Sequence, residues 1–106
     1  MSGPGGSPAL YSVTYSAAVR QRLKLLAGTA RARGDGEEFI AALREFDRRL
    51  QVYPQFGDPL LDLVAEVGQI RLGAVPPLAM RYGVVEDRRL VLVASPPVLL
   101  PMRPLK

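Results

Sequence analysis

The chain has 106 residues, a formal net charge of +4, an isoelectric point of about 10.0 and 48% hydrophobic residues. This length predicts one domain with a modest core, and the positive charge is typical of proteins that bind nucleic acid or acidic proteins. The sequence contains no Cys and no His, which excludes disulfides, thiolate nucleophiles and the usual zinc sites, and removes the commonest general acid–base side chain.

The two ends of the chain differ in composition from its middle. Residues 1–8 are rich in Gly, Pro and Ser, so we predict a disordered tail there. A single domain is predicted over residues 9–95. Residues 96–106 are apolar but contain four prolines, and such a tail is expected to lie on the body of the protein or on a partner. No secretory signal or membrane-spanning run is evident, so we expect a cytoplasmic protein.

The first predicted elements are a strand over residues 10–15 and a helix that begins at Ala17, with Ser16 as its N-cap. Gly34 is expected to end this helix or the turn that follows it. One face of the helix is apolar, and no acidic residue occurs in the helix. Its basic residues are Arg20, Arg22, Lys24, Arg31 and Arg33. These cations can bind successive phosphates of a nucleic acid or pair with an acidic partner. The alternative is an ordinary solvated helix face, and the residues alone favour this alternative. Arg20, Arg22 and Lys24 are our candidate partner-binding cations.

A second helix is predicted from Asp35 to the residue before Pro54, and Asp35 and Glu38 have the spacing of a capping box. Its apolar face consists of Phe39, Ala42, Leu43, Phe46 and Leu50. Residues 53–62 contain two prolines and a glycine and are predicted to be a loop. We expect nearby apolar residues to hold this loop to the core, namely Leu60, Leu61, Leu63 and Val64.

Residues 68–95 predict three consecutive strands. Apolar and polar residues alternate along the first two, and the third is a continuous apolar run. Residues 86–88 form a link of hairpin length, whereas Pro76 and Pro77 predict an irregular loop rather than a tight turn. The predicted fold class is therefore α+β, with a two-helix antiparallel hairpin packed on a small, mainly antiparallel sheet in the order β-α-α-β-β-β.

Arg71, Arg81 and Tyr82 are the candidate residues for binding RNA or another target. We expect both arginines to project from the sheet face opposite the helices, where guanidinium groups bind phosphate or stabilise developing charge. The alternative is that they are ordinary outward-facing polar residues. Tyr82 can stack on a base or belong to the core, and its neighbours Met80 and Val84 favour the core. No motif indicates a metal or a cofactor, and the catalytic residues stay unknown.

The apolar residues of the C-terminal tail are the second group of candidate partner-binding residues. Val98, Leu99 and Leu100 follow two prolines and precede another. Because leucine and valine side chains need cover, we expect either the domain or a partner protein to bury them.

Three stretches of the chain resemble the RelE/ParE family of bacterial type II toxins, also labelled plasmid-stabilisation proteins. They read YSVTYSAAVRQRLKLL, FIAALREFDRRLQVYPQFGDPL and QIRLGAVPPLAMRYGVVEDRRLVLV. The resemblance implies a small α+β fold and a toxin that an antitoxin, expected to be acidic, neutralises by wrapping its surface. Members similar to RelE cleave messenger RNA on the ribosome without a metal, and members similar to ParE inhibit DNA gyrase.

The sequence departs from the ribonuclease pattern at several positions. The strand that holds Arg71 has no flanking Lys, and Pro77-Leu78 stands where RelE-like members carry an Arg. The last predicted strand runs directly into SPPVLLP, which contains neither Arg nor Tyr. The leading hypothesis is therefore a toxin-like binding protein. A metal-independent ribosome-dependent endoribonuclease with a divergent site, and a non-toxic basic interaction domain, are the alternatives.

Overall fold

The computed structural model describes residues 10–62 and 68–100. Its helices and strands are β1 (Ser12–Tyr15), α1 (Ala17–Ala32), α2 (Gly36–Val52), β2 (Asp58–Asp62), β3 (Gln69–Val75), β4 (Leu78–Val85), β5 (Leu90–Val93) and β6 (Val98–Leu99). Two short 3-10 helices, Pro54–Phe56 and Glu86–Arg88, precede β2 and β5. The predicted tail 1–8 and the tail beyond Leu100 lie outside the described residues.

All the strands join one sheet in the order β1-β5-β4-β3-β2, with β6 also paired to β4. β1 runs parallel to β5, and every other described pair is antiparallel. The predicted α+β class, with two helices and a mainly antiparallel sheet in the order β-α-α-β-β-β, is confirmed, and β2 and β6 are strands additional to the predicted four.

α1 begins where the sequence predicts, because the Val19 amide donates to the Ser16 hydroxyl at 3.1 Å. Ser16 is therefore the N-cap. The predicted apolar face is also confirmed, since Val19, Leu26 and Ala30 are buried. The helix ends at Ala32, and Gly34 lies in the turn that follows it, as predicted, with a positive φ of 86°.

α2 packs its predicted apolar face on the sheet, and Phe39, Phe46 and Leu50 are fully buried. The predicted capping box is wrong, because the Asp35 side chain makes no capping hydrogen bond. Its carboxylate instead accepts a hydrogen bond from Arg33 Nε at 3.2 Å. A nearby guanidinium thus competes successfully with the helix amides for this carboxylate.

Two of the predicted connections are corrected by the structure. The predicted loop over residues 53–62 contains a 3-10 helix and then β2, which pairs with β3. Leu60 is 47% exposed and does not anchor it; the side chain of Leu61, and residues 63–67, lie outside what the structure describes. Pro76 and Pro77 form a tight two-residue connection rather than an irregular loop, because Val75 pairs directly with Leu78, and the bond between the prolines is cis.

The core lies between the helices and one face of the sheet, which we call the helix face. Alternate residues of β4 and β5 point into it, and these are Leu78, Met80, Tyr82, Val84, Val91 and Val93. The other face, which we call the open face, is covered by no helix among the described residues. The open face therefore presents the second set of alternate residues to its surroundings.

Candidate functional site

The register of β3 and β4 places Arg71 and Arg81 on opposite faces of the sheet. Arg71 lies opposite Tyr82, and Arg81 lies opposite Leu72. Directly opposed residues share a face, so Arg71 is on the helix face with buried Tyr82. The expectation that both arginines project from the open face is wrong for Arg71 and correct for Arg81.

The guanidinium of Arg71 is used to hold the chain between α2 and β2. Its Nη1 donates to the carbonyl oxygens of Gln55 at 3.0 Å and Gly57 at 2.5 Å. Its Nε is buried and has no hydrogen-bond partner among the described residues. Arg71 thus satisfies carbonyl groups that have no strand partner, which is a structural task.

Tyr82 anchors the same segment from beneath. Its hydroxyl donates to the Pro54 carbonyl at 2.6 Å and accepts from the Gly57 amide at 3.1 Å. The side chain is 2% exposed, and burial raises its pKa to about 12. A Cβ on Gly57 would overlap the Tyr82 hydroxyl, so only glycine allows this approach. Buried and doubly bonded, Tyr82 belongs to the core and has no free ring face for a base.

The aromatic rings around Tyr82 explain why β3 is oriented in this way. Phe46 and Phe56 meet edge to face with their centroids 5.4 Å apart, and Phe56 stacks on Tyr82 at 6.0 Å. Gly73 lies under them, since a Cβ there would stand 2.8 Å from Phe56 and 3.0 Å from Phe46. The space above β3 on the helix face is thus filled by aromatic rings, and its Ile70 and Leu72 are turned to the open face.

A polar network that the sequence did not reveal lies at one end of the sheet. Tyr11 donates to one oxygen of Glu86 at 2.9 Å, and Gln55 donates to the other at 2.6 Å. The Arg89 guanidinium lies over the Tyr11 ring at 5.6 Å. Hydrogen bonds from Gln55 and Tyr11, with the charges of Arg71 and Arg89, lower the pKa of Glu86. Both carboxylate oxygens are occupied, so the network ties the chain together.

The open face is mostly apolar. Its residues from β3, β4 and β5 include Ile70, Leu72, Arg81, Gly83, Val85 and Leu92. Leu72 is 39% exposed and Leu92 is 42% exposed. Arg81 is exposed and makes no hydrogen bond or ion pair with any residue in 10–62 or 68–100. β2 adds Asp58, which lies across Leu72 from Arg81.

A depression, which we call the Gly83 notch, lies in the middle of this face. Gly83 is directly between Ile70 of β3 and Leu92 of β5. A Cβ added to Gly83 would have nothing nearer than the Leu92 carbonyl oxygen at 4.0 Å, and an open cavity of about 190 Å³ lies over this position. Its lining includes Ile70, Arg81, Gly83, Val85, Leu92 and Ala94.

The predicted partner-binding residues fall into two groups in the structure. Arg20, Arg22 and Lys24 are exposed on α1 and make no ion pair with any described residue. Arg22 also lines a cavity of about 380 Å³ that α1 forms with Ala94 and Pro96. These cations are available to a partner, and their role in binding stays a prediction.

The start of the C-terminal tail lies on the body of the protein. β6 pairs with β4, and the Leu100 amide donates to the Pro77 carbonyl at 2.6 Å. Arg33 Nη2 donates to the Leu100 carbonyl at 3.1 Å. Leu99 packs against the core, whereas Val98 is 54% exposed. The tail is therefore held by the domain as far as Leu100, with Val98 left open to contact.

A cavity runs along the outside of the helical hairpin. Its volume is about 680 Å³, and Ile40, Arg31, Arg44 and Glu37 line it together with small residues of the turn. Because it mixes two cations with a carboxylate, its charge does not select one sign of ligand. This groove therefore indicates a ligand less sharply than the Gly83 notch does.

Among the described residues, no three His, Cys, Asp or Glu side chains lie close enough to hold a metal ion. No helix in the described part of the chain is long and apolar enough to cross a membrane. No protein-family model matches the sequence, and no curated protein matches it.

Proposed function

We propose that this protein is the toxin-like component of a type II toxin–antitoxin module in the cytoplasm. It acts by binding its target, which is the ribosome with its messenger RNA or DNA gyrase, and an acidic antitoxin neutralises it. The three stretches that resemble RelE/ParE toxins support this, and so does a fold of the kind that the resemblance implies. The separation of Arg71 and Arg81 by the sheet is the observation that favours binding over cleavage.

RNA cleavage without a metal requires a base, an acid and a cation within reach of one phosphate. On the open face, Arg81 is the one ionisable residue that β3, β4 and β5 contribute within the described chain. Arg71 is occupied by two carbonyl oxygens on the other face. An apolar face with a single cation suits a protein surface better than a polyanion, since phosphate binding draws on several cations.

The runner-up is a ribosome-dependent endoribonuclease with a divergent site. One observation favours it: Asp58 and Arg81 are two strands apart on the open face, with Leu72 between them. Two strand spacings separate their backbones by about 10 Å. A carboxylate base and a stabilising cation at this separation can both reach a bound phosphodiester.

Induced expression in a bacterial host tests the proposal and separates it from this alternative. We expect growth arrest with messenger RNA intact by primer extension on translating ribosomes, and relief of arrest by co-expression of the antitoxin gene that a module would place beside this one. Purified protein should in turn be assayed against gyrase supercoiling.

Two other outcomes would overturn the proposal in different ways. Cleavage within A-site codons that Asp58→Asn or Arg81→Ala abolishes would establish the ribonuclease. Normal growth, with no small acidic protein recovered on the purified chain, would leave a non-toxic basic interaction domain.

A further inference from the structure

The Gly83 notch has the dimensions of a side-chain receptor. Its volume of about 190 Å³ is several times the share of roughly 30 Å³ that a water molecule occupies in the liquid. Ile70, Val85 and Leu92 make its walls apolar. A leucine- or phenylalanine-sized side chain placed there removes its own surface and these walls from water, which is the main favourable term in association.

Arg81 gives this apolar receptor a charge preference. Arg81 is exposed and lines the notch, and it has no ion-pair partner in the described part of the chain. A carboxylate that approaches over apolar residues is screened less than one in open water, and the guanidinium offers it two parallel donors. The preferred ligand therefore combines a large apolar side chain with a nearby acid.

We propose that the Gly83 notch receives one large apolar side chain of an acidic partner protein, while a neighbouring carboxylate of that partner pairs with Arg81. The inference rests on the proposed function only where it identifies this partner as the antitoxin. It assigns the contact to the open face of the sheet.

Charge argues against the other occupants of this face. In a symmetric dimer over the notch, two copies of Arg81 would meet, which is repulsive. Residues 1–9 and 101–106 are unsuitable as well, because the first segment contains no acid and the second contains Arg103 and Lys106. RNA is a poor occupant because the notch offers it apolar residues and only one cation, Arg81, within the described chain. An acidic, amphipathic protein segment fits both the walls and the rim.

The notch can be closed without disturbing the fold. Gly83 lacks a positive φ, and a Cβ there meets no atom closer than 4.0 Å. Gly83→Leu therefore fills the cavity from its floor. Gly28→Leu is the matched control, because Gly28 lies on the exposed side of α1 and also has free space around it. Arg88→Glu, on an exposed 3-10 helix, is the control for Arg81→Glu.

The probe is a display library of random 16-residue peptides, panned on the full-length protein. We expect the enriched peptides to carry a large apolar residue within one helical turn of Asp or Glu. Their Kd, measured by fluorescence anisotropy with synthetic peptides, should rise at least ten-fold with Gly83→Leu and with Arg81→Glu. The two control variants should bind like the wild type, and amide shifts in NMR should centre on Gly83 and Leu92.

Circular dichroism and melting verify that each variant is folded. If Gly83→Leu does not fold, Gly83→Ala replaces it and should still weaken binding several-fold. Peptides that bind the filled and open notch equally, or that need no acid, overturn the inference. Displacement of bound peptide by a single-stranded RNA oligonucleotide assigns the face to nucleic acid and overturns it too.

The outcome is independent of toxicity. If the protein arrests growth but its peptides bind the notch variants as they bind the wild type, this inference is contradicted and the proposed function is not. If the peptides bind the notch but growth continues on expression, the binding site is supported and the proposed role as a toxin is contradicted.

Discussion

The two faces of the sheet use neighbouring residues of one strand in opposite ways. On the helix face, Tyr82 is buried, and its hydroxyl is both donor and acceptor to the chain itself. On the open face, the adjacent Arg81 is exposed and unpaired within the described chain. A polar side chain whose hydrogen bonds are all made to backbone groups is unavailable to a ligand, so the residue type alone does not identify a binding site. Mutations should therefore affect stability on one face and binding on the other.

The largest effect is expected from Phe46→Ala on the helix face. Phe46 is fully buried and contacts both Phe56 and Tyr82. Its removal should lower the free energy of unfolding by about 3–5 kcal/mol, the usual cost of emptying a buried aromatic site. Leu92→Ala on the open face is the comparison and should cost at most about 1.5 kcal/mol, because Leu92 is 42% exposed. Equal losses in urea unfolding would contradict the distinction between the faces.

Tyr82→Phe should have the next largest effect. It leaves the Pro54 carbonyl and the Gly57 amide without their partner, at a cost of about 1–3 kcal/mol. Tyr53→Phe is the control, since Tyr53 is 59% exposed. A variant as stable as the wild type would mean that water replaces the lost hydrogen bonds.

The same substitution should change stability at high pH. Burial raises the pKa of Tyr82 from 10.0 to about 12, so the folded state holds this proton more tightly than the unfolded state. The resulting stabilisation is complete below pH 10 and is lost as pH rises towards 12. Burial, with Asp47, raises the pKa of Tyr15 as well. Tyr82→Phe should therefore reduce, without abolishing, the fall in Tm between pH 9 and pH 12.

Glu86→Gln tests the polar network at the end of the sheet and should have a smaller effect. Hydrogen bonds from Gln55 and Tyr11 lower the pKa of Glu86 below 4.5. Its contribution is therefore present above that pH and is lost as pH falls through the lowered pKa. The variant should melt below the wild type at pH 7, and the gap should close in acid. Asp87→Asn, in the same exposed turn, is the control and should melt like the wild type at pH 7.

The smallest effect on stability is expected from Arg81→Ala. Because Arg81 is exposed and unpaired within residues 10–62 and 68–100, the free energy of unfolding should change by less than about 0.5 kcal/mol. A large loss would show that Arg81 supports the fold, and the contrast between the two faces would then fail at this residue.

Much of the fold could be predicted from the sequence because its signals are local. Helical periodicity identified the buried faces of both helices, and Ser16 marked the start of α1. β2 was missed, since Pro59 and the turn residues around it disfavour a strand in the sequence, whereas pairing with β3 stabilises one. Tertiary contacts of this kind are not visible in a local pattern.

The orientation of Arg71 could not be predicted from alternation. In residues 69–72 the apolar pattern places Ile70 and Leu72 towards the core, and the structure has the reverse. The aromatic rings over Gly73, and the carbonyls of Gln55 and Gly57 beside Arg71, decide the orientation of β3. All of these come from distant parts of the chain. For the notch, a sequence signal does exist, since glycine inside a strand often marks a close approach of another molecule.

The pairing of β1 with β5 has a consequence for synthesis of the chain. Ser12 pairs with Leu90, and Tyr11 bonds to Glu86, 75 residues further on. The helical hairpin contains mostly local contacts and is able to form early on the ribosome, but such distant pairings are slow to form and wait until β5 has emerged. The Gly83 notch, built from β3, β4 and β5, also requires β5. A partner that recognises the notch will bind chains in which β5 has joined the sheet and will ignore shorter nascent ones.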